Sequence, residues 1–175
     1  MAEVVLRELP PCTRLSLQGG LAALPALGAA FGLALPAEPL RATAAAARAA
    51  LWLGPDEWLL LAEDGAAGPL LSALEAARGE VPASLVDVSH CWRGIELAGP
   101  DAAPLLNEGC PLDLDDGAFP PGRCTRTLFG KAEILLWQRE PGLWRLEVAR
   151  SFVPWLLGLL REAAGDLPRG DPAGH

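Results

Sequence analysis

Trp144-Arg145-Leu146-Glu147-Val148 is an alternating apolar and polar run, and it leads into a stretch in which Leu156, Leu157, Leu160 and Ala163 recur at helical spacing. The same sentence stands earlier in the chain. Trp58-Leu59-Leu60-Leu61-Ala62 leads into Ala66 to Arg78, where Leu70, Leu71, Leu74 and Ala77 keep helical spacing. One and the same offset separates Trp58 from Trp144 and Leu74 from Leu160. The approaches match too. Leu51-Trp52-Leu53 with the turn Gly54-Pro55-Asp56-Glu57 parallels Ile134 to Trp137 with the turn Glu140-Pro141-Gly142. Each copy reads strand, tight turn, strand, helix.

Working outward, Arg14-Leu15-Ser16-Leu17-Gln18-Gly19 echoes Arg93-Gly94-Ile95-Glu96-Leu97-Ala98-Gly99. Both are alternating strands that enter helices rich in small residues, Leu21 to Phe31 and Asp101 to Glu108. Asp101 stands where an N-cap carboxylate would accept a bond from a free helix N–H. Strand, helix, strand, strand, helix, written twice, is the order of a duplicated ferredoxin-like α+β unit. Chance similarity between amphipathic helices is the plainer explanation, and the paired tryptophans and paired turns weigh against it. Two segments read less clearly, Pro36 to Ala50 and Leu114 to Arg126. Ala42 to Ala50 has helical propensity, whereas the repeat makes it the approach to a strand. No linker divides the chain, so residues 1–165 read as one domain and 166–175, rich in Gly and Pro, as a flexible tail.

At 175 residues the chain can bury roughly two thirds of its unfolded surface. Hydrophobic residues make up 51% of it and mean hydropathy is +0.25. Either the core is well filled, or some apolar surface awaits another subunit, because obligate interfaces resemble a core cut in half. The net charge is −8 and the only lysine is Lys131; the arginines are scattered, so no basic stripe exists to neutralise phosphates. Cys12, Cys91, Cys110 and Cys124 lack C-x-x-C spacing, and the histidines are His90 and His175. That composition offers no closing zinc geometry, and the cysteines read as reduced thiols. Met1 to Arg7 lacks the apolar stretch of a signal peptide. The longest oily run, Phe152 to Leu160, is far short of the roughly 18 residues a membrane span needs. A cytoplasmic protein is expected.

Few residues offer chemistry. Asp87, Ser89 and His90 are adjacent in sequence, and on a strand Asp87 and Ser89 share a face while His90 points away. A relay needs side chains that converge; satisfying backbone donors at a strand end suits this pair better. Asp113, Asp115 and Asp116 lack the distal acid of a calcium loop and read as a solvated turn. Gly19-Gly20 is a strand-to-helix turn, and neither G-x-G-x-x-G nor a Walker loop occurs. Phe152, Val153, Trp155, Leu156, Leu157, Leu159 and Leu160 make the last helix oily nearly all round, as in a helix buried on more than one side. It is either a central core helix or a face for a partner. On the second reading Phe152, Trp155, Leu156 and Leu159 are the interface residues, with Trp155 as the anchor.

The order of the motifs carries a resemblance. Val86-Asp87-Val88-Ser89-His90 is followed by Gly99-Pro100-Asp101-Ala102 and Gly109-Cys110-Pro111-Leu112-Asp113-Leu114. Phe119-Pro120-Pro121-Gly122-Arg123-Cys124, Leu128-Phe129-Gly130-Lys131-Ala132 and Arg150-Ser151-Phe152 complete the series. Over nearly its whole length the chain resembles the gamma subunits of heterotetrameric sarcosine oxidases. Its Asp-x-Ser strand end and Gly-Pro-Asp-Ala helix start also look like the folate-binding module of the glycine-cleavage T-protein family.

The resemblance implies an α+β fold of duplicated, intertwined ferredoxin-like units, as in the T-protein folate-binding domain. It implies a structural subunit of a cytoplasmic enzyme that demethylates sarcosine oxidatively to glycine and passes the one-carbon unit to tetrahydrofolate. This chain would brace the large alpha subunit, with catalytic, cofactor and metal residues none. FAD, FMN, NAD and tetrahydrofolate would bind other subunits. The T-protein family carries a functional acid in a Gly-Gly-x-x-Asp-Asp setting; here Gly130-Lys131-Ala132-Glu133-Ile134-Leu135 is shortened and holds only Glu133. That role is not carried over, and Glu133 reads as a solvent-side strand residue. The alternatives are a stand-alone folate-dependent aminomethyltransferase and a folate-binding protein without turnover.

Overall fold

In the computed structural model, residues 3–166 are described. The elements run β1 (Val5–Glu8), β2 (Thr13–Gly19), α1 (Leu24–Phe31), β3 (Ala42–Ala45), β4 (Arg48–Gly54), β5 (Glu57–Ala62), α2 (Ala67–Arg78) and β6 (Ala83–Asp87). Then come β7 (Trp92–Ala98), α3 (Ala102–Asn107), β8 (Cys124–Phe129), β9 (Ala132–Glu140), β10 (Leu143–Ala149) and α4 (Val153–Asp166). Short 3-10 turns at Leu21–Ala23 and Arg150–Phe152 lead into α1 and α4. The 167–175 part of the expected tail lies outside the described residues.

The strands form two antiparallel sheets ordered β3-β4-β5-β2-β6 and β8-β9-β10-β7-β1. Laid side by side, the orders match strand for strand, and the register matches as well. Leu17 pairs with Trp58 in one sheet, and Leu97 with Trp144 in the other. Both copies also carry a register shift at the same hairpin, between Trp52 and Gly54 and between Leu143 and Trp144. The repeat is therefore structural. Each unit gains two strands beyond the five elements of the repeat: β3 and β6 complete the first sheet, whereas β8 and, from the start of the chain, β1 complete the second.

Ala42–Ala45 is strand, not helix. Its pairing with β4, Ala42 opposite Leu51, outweighs the weak intrinsic preference of alanine for helix. Asp101 occupies the N-cap position of α3 without capping it. Its carboxylate instead accepts the backbone N–H of Glu3 at 2.7 Å, tying the start of the chain to the β7–α3 turn.

Alternation along the strands builds four layers. Trp58, Leu60 and Ala62 face α1 and α2, in a core with Leu27, Phe31, Leu70 and Leu74. Ile134, Leu136, Trp144, Leu146 and Val148 face α3 and α4, with Leu105, Leu106, Leu156 and Leu160. The opposite faces meet each other: Ala49, Leu51, Leu59 and Leu61 pack on Cys124, Leu135 and Trp137. At one edge the backbones also join, Ala42 N–H donating to Gly122 O at 2.8 Å and Cys124 N–H to Leu40 O at 2.9 Å.

Between the sheets the apolar contact gives way to charge. Arg14 on β2 donates from Nε to Glu147 Oε2 on β10 at 2.6 Å, and both side chains are 1% exposed. Arg145 reaches the other Glu147 oxygen at 2.6 Å, and Arg14 Nη1 donates to Cys12 O at 3.1 Å. Gly94, opposite Glu147, leaves the room for this group: a Cβ there would stand 3.3 Å from Arg14 Nη2 and Glu147 Oε1 and 3.1 Å from Leu9 Cδ1.

Gly99 is tighter still. Its φ is +141°, and a Cβ would lie 2.0 Å from the carbonyl oxygen of Glu3. Gly99→Ala is expected to cost about 1–3 kcal/mol and to act locally by pushing β1 off β7. Amide hydrogen exchange checks this: β1 should lose protection first while β9 and β10 keep theirs, and uniform loss would refute a local effect.

Candidate functional site

The series of 3-10 turn and α4 sorts its apolar residues by face. Val153, Leu156, Leu157 and Leu160 turn inward on the β7-β9-β10 core. Phe152 and Trp155 turn outward, each 42% exposed, with their rings edge to face at 6.2 Å between centroids. Leu159 lies between, half-buried against the core. Of the four expected interface residues, Leu156 is thus withdrawn: it is fully buried within its own chain and has no surface to offer. The helical period resolves what composition alone blurs, because Val153, Leu156, Leu157 and Leu160 follow i, i+3, i+4, i+7 while Phe152, Trp155 and Leu159 form the neighbouring stripe.

What holds Trp155 outward is the β8–β9 turn. Gly130 has φ +56°, and a Cβ on it would meet the Trp155 ring at 3.0 Å and Leu159 at 3.4 Å, so the indole lies on bare backbone. Gly130 N–H donates to Gly109 O at 2.9 Å, which brings the turn against the end of α3. The result is a shallow cavity of about 460 Å³ lined by Asn107, Cys110, Pro111, Leu128 and Gly130, beside the exposed indole. Leu128, 47% exposed, extends the apolar surface along β8. The sequence singles out Phe152 and Trp155 as apolar positions but not Leu128 or Gly130, which the structure places beside them. The signal for Gly130 was the two-residue turn Gly130-Lys131 between alternating strands.

The other singled-out residues resolve locally. Asp87 Oδ1 accepts the Ser89 N–H at 2.9 Å and its hydroxyl at 2.5 Å, while Ser89 Oγ accepts Arg14 N–H at 2.9 Å. They satisfy backbone donors at the end of β6, and His90 is exposed beside them. The Ser89 hydroxyl and N–H hold the Asp87 carboxyl below its ordinary range. Its protonation therefore favours the unfolded chain: the small stabilisation is whole above the ordinary aspartate range and lost as pH falls through the lowered value. Acid titration of Asp87→Asn should show a shallower loss of stability in that acid window than the native chain; equal slopes would place the acid sensitivity elsewhere.

Asp113 and Asp115 each accept a backbone N–H two residues on, from Asp115 at 3.0 Å and Gly117 at 2.9 Å, making a turn. Among the described residues, no three His, Cys, Asp or Glu side chains gather as metal ligands. Gly19 and Gly20 form the strand-to-helix turn. Glu133 is exposed on β9 and lies 3.5 Å from Arg126. All four cysteines are free; Cys91 is exposed and Cys110 buried, and burial pushes the Cys124 thiol up to about 12.

Comparison with known proteins points one way. The model of the sarcosine oxidase, gamma subunit family matches residues 19–166. The chain is 37% identical over 166 residues to sarcosine oxidase subunit gamma of Corynebacterium sp. (strain U-96), covering 91% of this chain and 80% of the relative. Among solved structures, a chain of heterotetrameric sarcosine oxidase from Corynebacterium sp. U-96, in complex with pyrrole 2-carboxylate, superposes with a TM-score of 0.87 at 34% identity. That match covers 97% of this chain and 88% of the other. Glycine cleavage system aminomethyltransferase T from Bartonella henselae gives a TM-score of 0.68 at 14% identity, over 91% of this chain and 45% of that one, a likeness of fold alone.

Proposed function

Because this chain belongs to the sarcosine oxidase gamma subunit family, we propose that it is the non-catalytic subunit of a heterotetrameric sarcosine oxidase and braces the large alpha subunit. The assembly would demethylate sarcosine oxidatively to glycine and pass the one-carbon unit to tetrahydrofolate. FAD, FMN, NAD and tetrahydrofolate would sit on the other subunits, and the complex would work in the cytoplasm. The observation that carries this reading is the superposition, at a TM-score of 0.87 over 97% of the chain, on a chain of a solved heterotetrameric sarcosine oxidase. The absence, among the described residues, of any helix long and apolar enough to cross a membrane fits that setting.

The outward pair Phe152 and Trp155, with Leu128 and Leu159 beside them, would be the patch that meets the alpha subunit. The Trp155 indole is already seated on the Gly130 turn and against the Phe152 ring, so less side-chain freedom would be lost on docking. Co-expression with the alpha, beta and delta subunits tests the proposal. The chain should co-purify with sarcosine oxidase activity, and a fully active oxidase that assembles without it would overturn the bracing role.

The T-protein fold raises a second possibility, a chain that binds folate by itself. Glu133, the only acid in the shortened segment, stands in solvent beside Arg126 instead of in a cavity. Titration calorimetry of the isolated chain with tetrahydrofolate is expected to show nothing tighter than the millimolar range, about −4 kcal/mol. Micromolar binding lost in Glu133→Gln would favour the transferase reading instead.

A further inference from the structure

The repeat leaves one more signature where the two sheets join at their edge. Pro39-Leu40-Arg41-Ala42-Thr43 enters β3, and Pro121-Gly122-Arg123-Cys124-Thr125 enters β8, the strand that holds the same place in the other sheet. The residue before each arginine is left-handed, Leu40 at φ +61° and Gly122 at φ +83°. Glycine takes that conformation freely, whereas leucine takes it only under constraint. The first copy thus keeps the geometry against the preference of its side chain.

Arg41 and Arg123 face each other across an antiparallel bridge. The bonds flanking them, Ala42 N–H to Gly122 O at 2.8 Å and Cys124 N–H to Leu40 O at 2.9 Å, make them a non-hydrogen-bonded pair. In such a pair the backbones stand closest and both side chains project from the same face. Two cations placed directly opposite repel each other. Little neutralises them. Arg41 lies 3.6 Å from Glu38 in an exposed contact that solvent screens. Arg123 donates from Nη1 to the Ala118 carbonyl at 3.1 Å, and its Cζ lies 5.6 Å from the Phe119 ring centroid, so neither contact carries a negative charge. Asp113 lines a neighbouring cavity that Arg123 shares, and its Oδ1 is engaged by the Asp115 N–H.

Both arginines line one cavity of about 140 Å³, with Pro39, Leu40 and Pro120. Every polar side-chain group of that lining is therefore a cationic donor. Arg41 is exposed and Arg123 half-buried, so a guest can reach both. A carboxylate has one pair of oxygens and matches one guanidinium fork. A tetrahedral dianion offers oxygens to each fork and balances both charges.

We propose that this cavity binds a small phosphate, free or as a monoester, bridged by Arg41 and Arg123 so that it clamps the two units at their shared edge. The site lies at the end of β8 away from Leu128 and does not rest on the docking reading.

The test titrates the full-length chain, labelled with nitrogen-15, with inorganic phosphate and with glycerol phosphate. Ionic strength is held constant with sodium chloride, and acetate is the carboxylate control. The Nε–H peaks of Arg41, Arg123 and the distant Arg78 are assigned by their loss in the single lysine variants. Both phosphates are expected to bind, the tighter one marking the source. The Arg41 and Arg123 peaks should shift together to saturation with one midpoint, while Arg78 stays still and acetate moves none of them. Arg41→Lys and Arg123→Lys keep the charge and lose the fork. In each, affinity read on the remaining arginine should fall about tenfold, the worth of one charge-assisted hydrogen bond. Melting temperature should also rise with phosphate by linkage and stay level with matched chloride. Separate midpoints, or a drift shared with Arg78, would overturn the proposal and reduce the effect to general screening. Undiminished affinity in the lysine variants would overturn the clamp, and saturation by acetate at the same midpoint would overturn the phosphate assignment. A partner carboxylate seated between the two guanidiniums in the assembled complex would overturn the small-molecule site.

Discussion

Glu147→Ala is expected to unfold the chain or bring it close to unfolding. Glu147 holds Arg14 between the two sheets at 2.6 Å, and each side chain is 1% exposed. Removing one partner strands the other as a buried, unpaired charge, at about 3–5 kcal/mol. That is a large part of the 5–15 kcal/mol by which ordinary domains are stable. Arg145 would lose its partner as well, though it lies nearer the surface. Removing both buried charges is a different matter. Arg14→Met with Glu147→Leu replaces the pair by apolar volume, and such replacements are commonly neutral or stabilising. The single variant should therefore be far less stable than the double one in urea. A Glu147→Ala chain melting within about 2 °C of the native protein would show that water reaches the pair and that the sheets are not sealed there.

Trp155→Ala and Leu156→Ala, adjacent in sequence, are expected to fail in opposite ways. Leu156 is fully buried on the α4 side of the β7-β9-β10 core, so its truncation should cost the isolated chain about 2–5 kcal/mol. Trp155 lies outward on Gly130, 42% exposed. Its truncation should leave the melting temperature of the isolated chain nearly unchanged while weakening assembly with the oxidase subunits by about 2–4 kcal/mol. Binding isotherms and melting curves on the two purified variants check both halves. Equal destabilisation of the isolated chains would make Trp155 a residue of the chain's own packing, and the patch would lose its anchor.

The internal repeat was legible because its signals are local and strong: a tryptophan opening a strand, a tight turn before it and a periodic helix after it. What stayed hidden depends on partners far along the chain. β1 and β6 are short and mostly exposed, so neither has the clean alternation that marks a half-buried strand. The Ala42–Ala45 strand is set by its register with β4, which no count of alanines reveals. Arg14 and Glu147 occupy the polar positions of alternating strands and read there as solvent-facing. Only the stacking of one sheet on the other turns that face inward. Leu156 was hidden for the opposite reason. In a helix oily on every side, composition says nothing about which stripe is buried, and the period had to be anchored on Val153 to separate it from Trp155. The unpartnered Trp144 indole could not be read at all, since the repeat predicts likeness and here the copies differ: Trp58 donates to Pro36 O, and Trp144 Nε1 is buried without a partner.

The completion of the second sheet by β1 sets an order of events during synthesis. Val5–Glu8 leaves the ribosome long before its pairing partner β7, which begins only at Trp92. Everything the first sheet needs lies between those two segments, so it can close on its own nascent chain while β1 waits outside it. A waiting strand with unpaired N–H and C=O groups is open to mispairing. β1 limits that hazard by being four residues long, with Arg7 and Glu8 at its end. Contacts that span so much chain also slow folding. The final docking of β1, fastened by Asp101 on the Glu3 N–H, should accordingly be the last step of maturation, and a bulky amino-terminal fusion should retard that step alone.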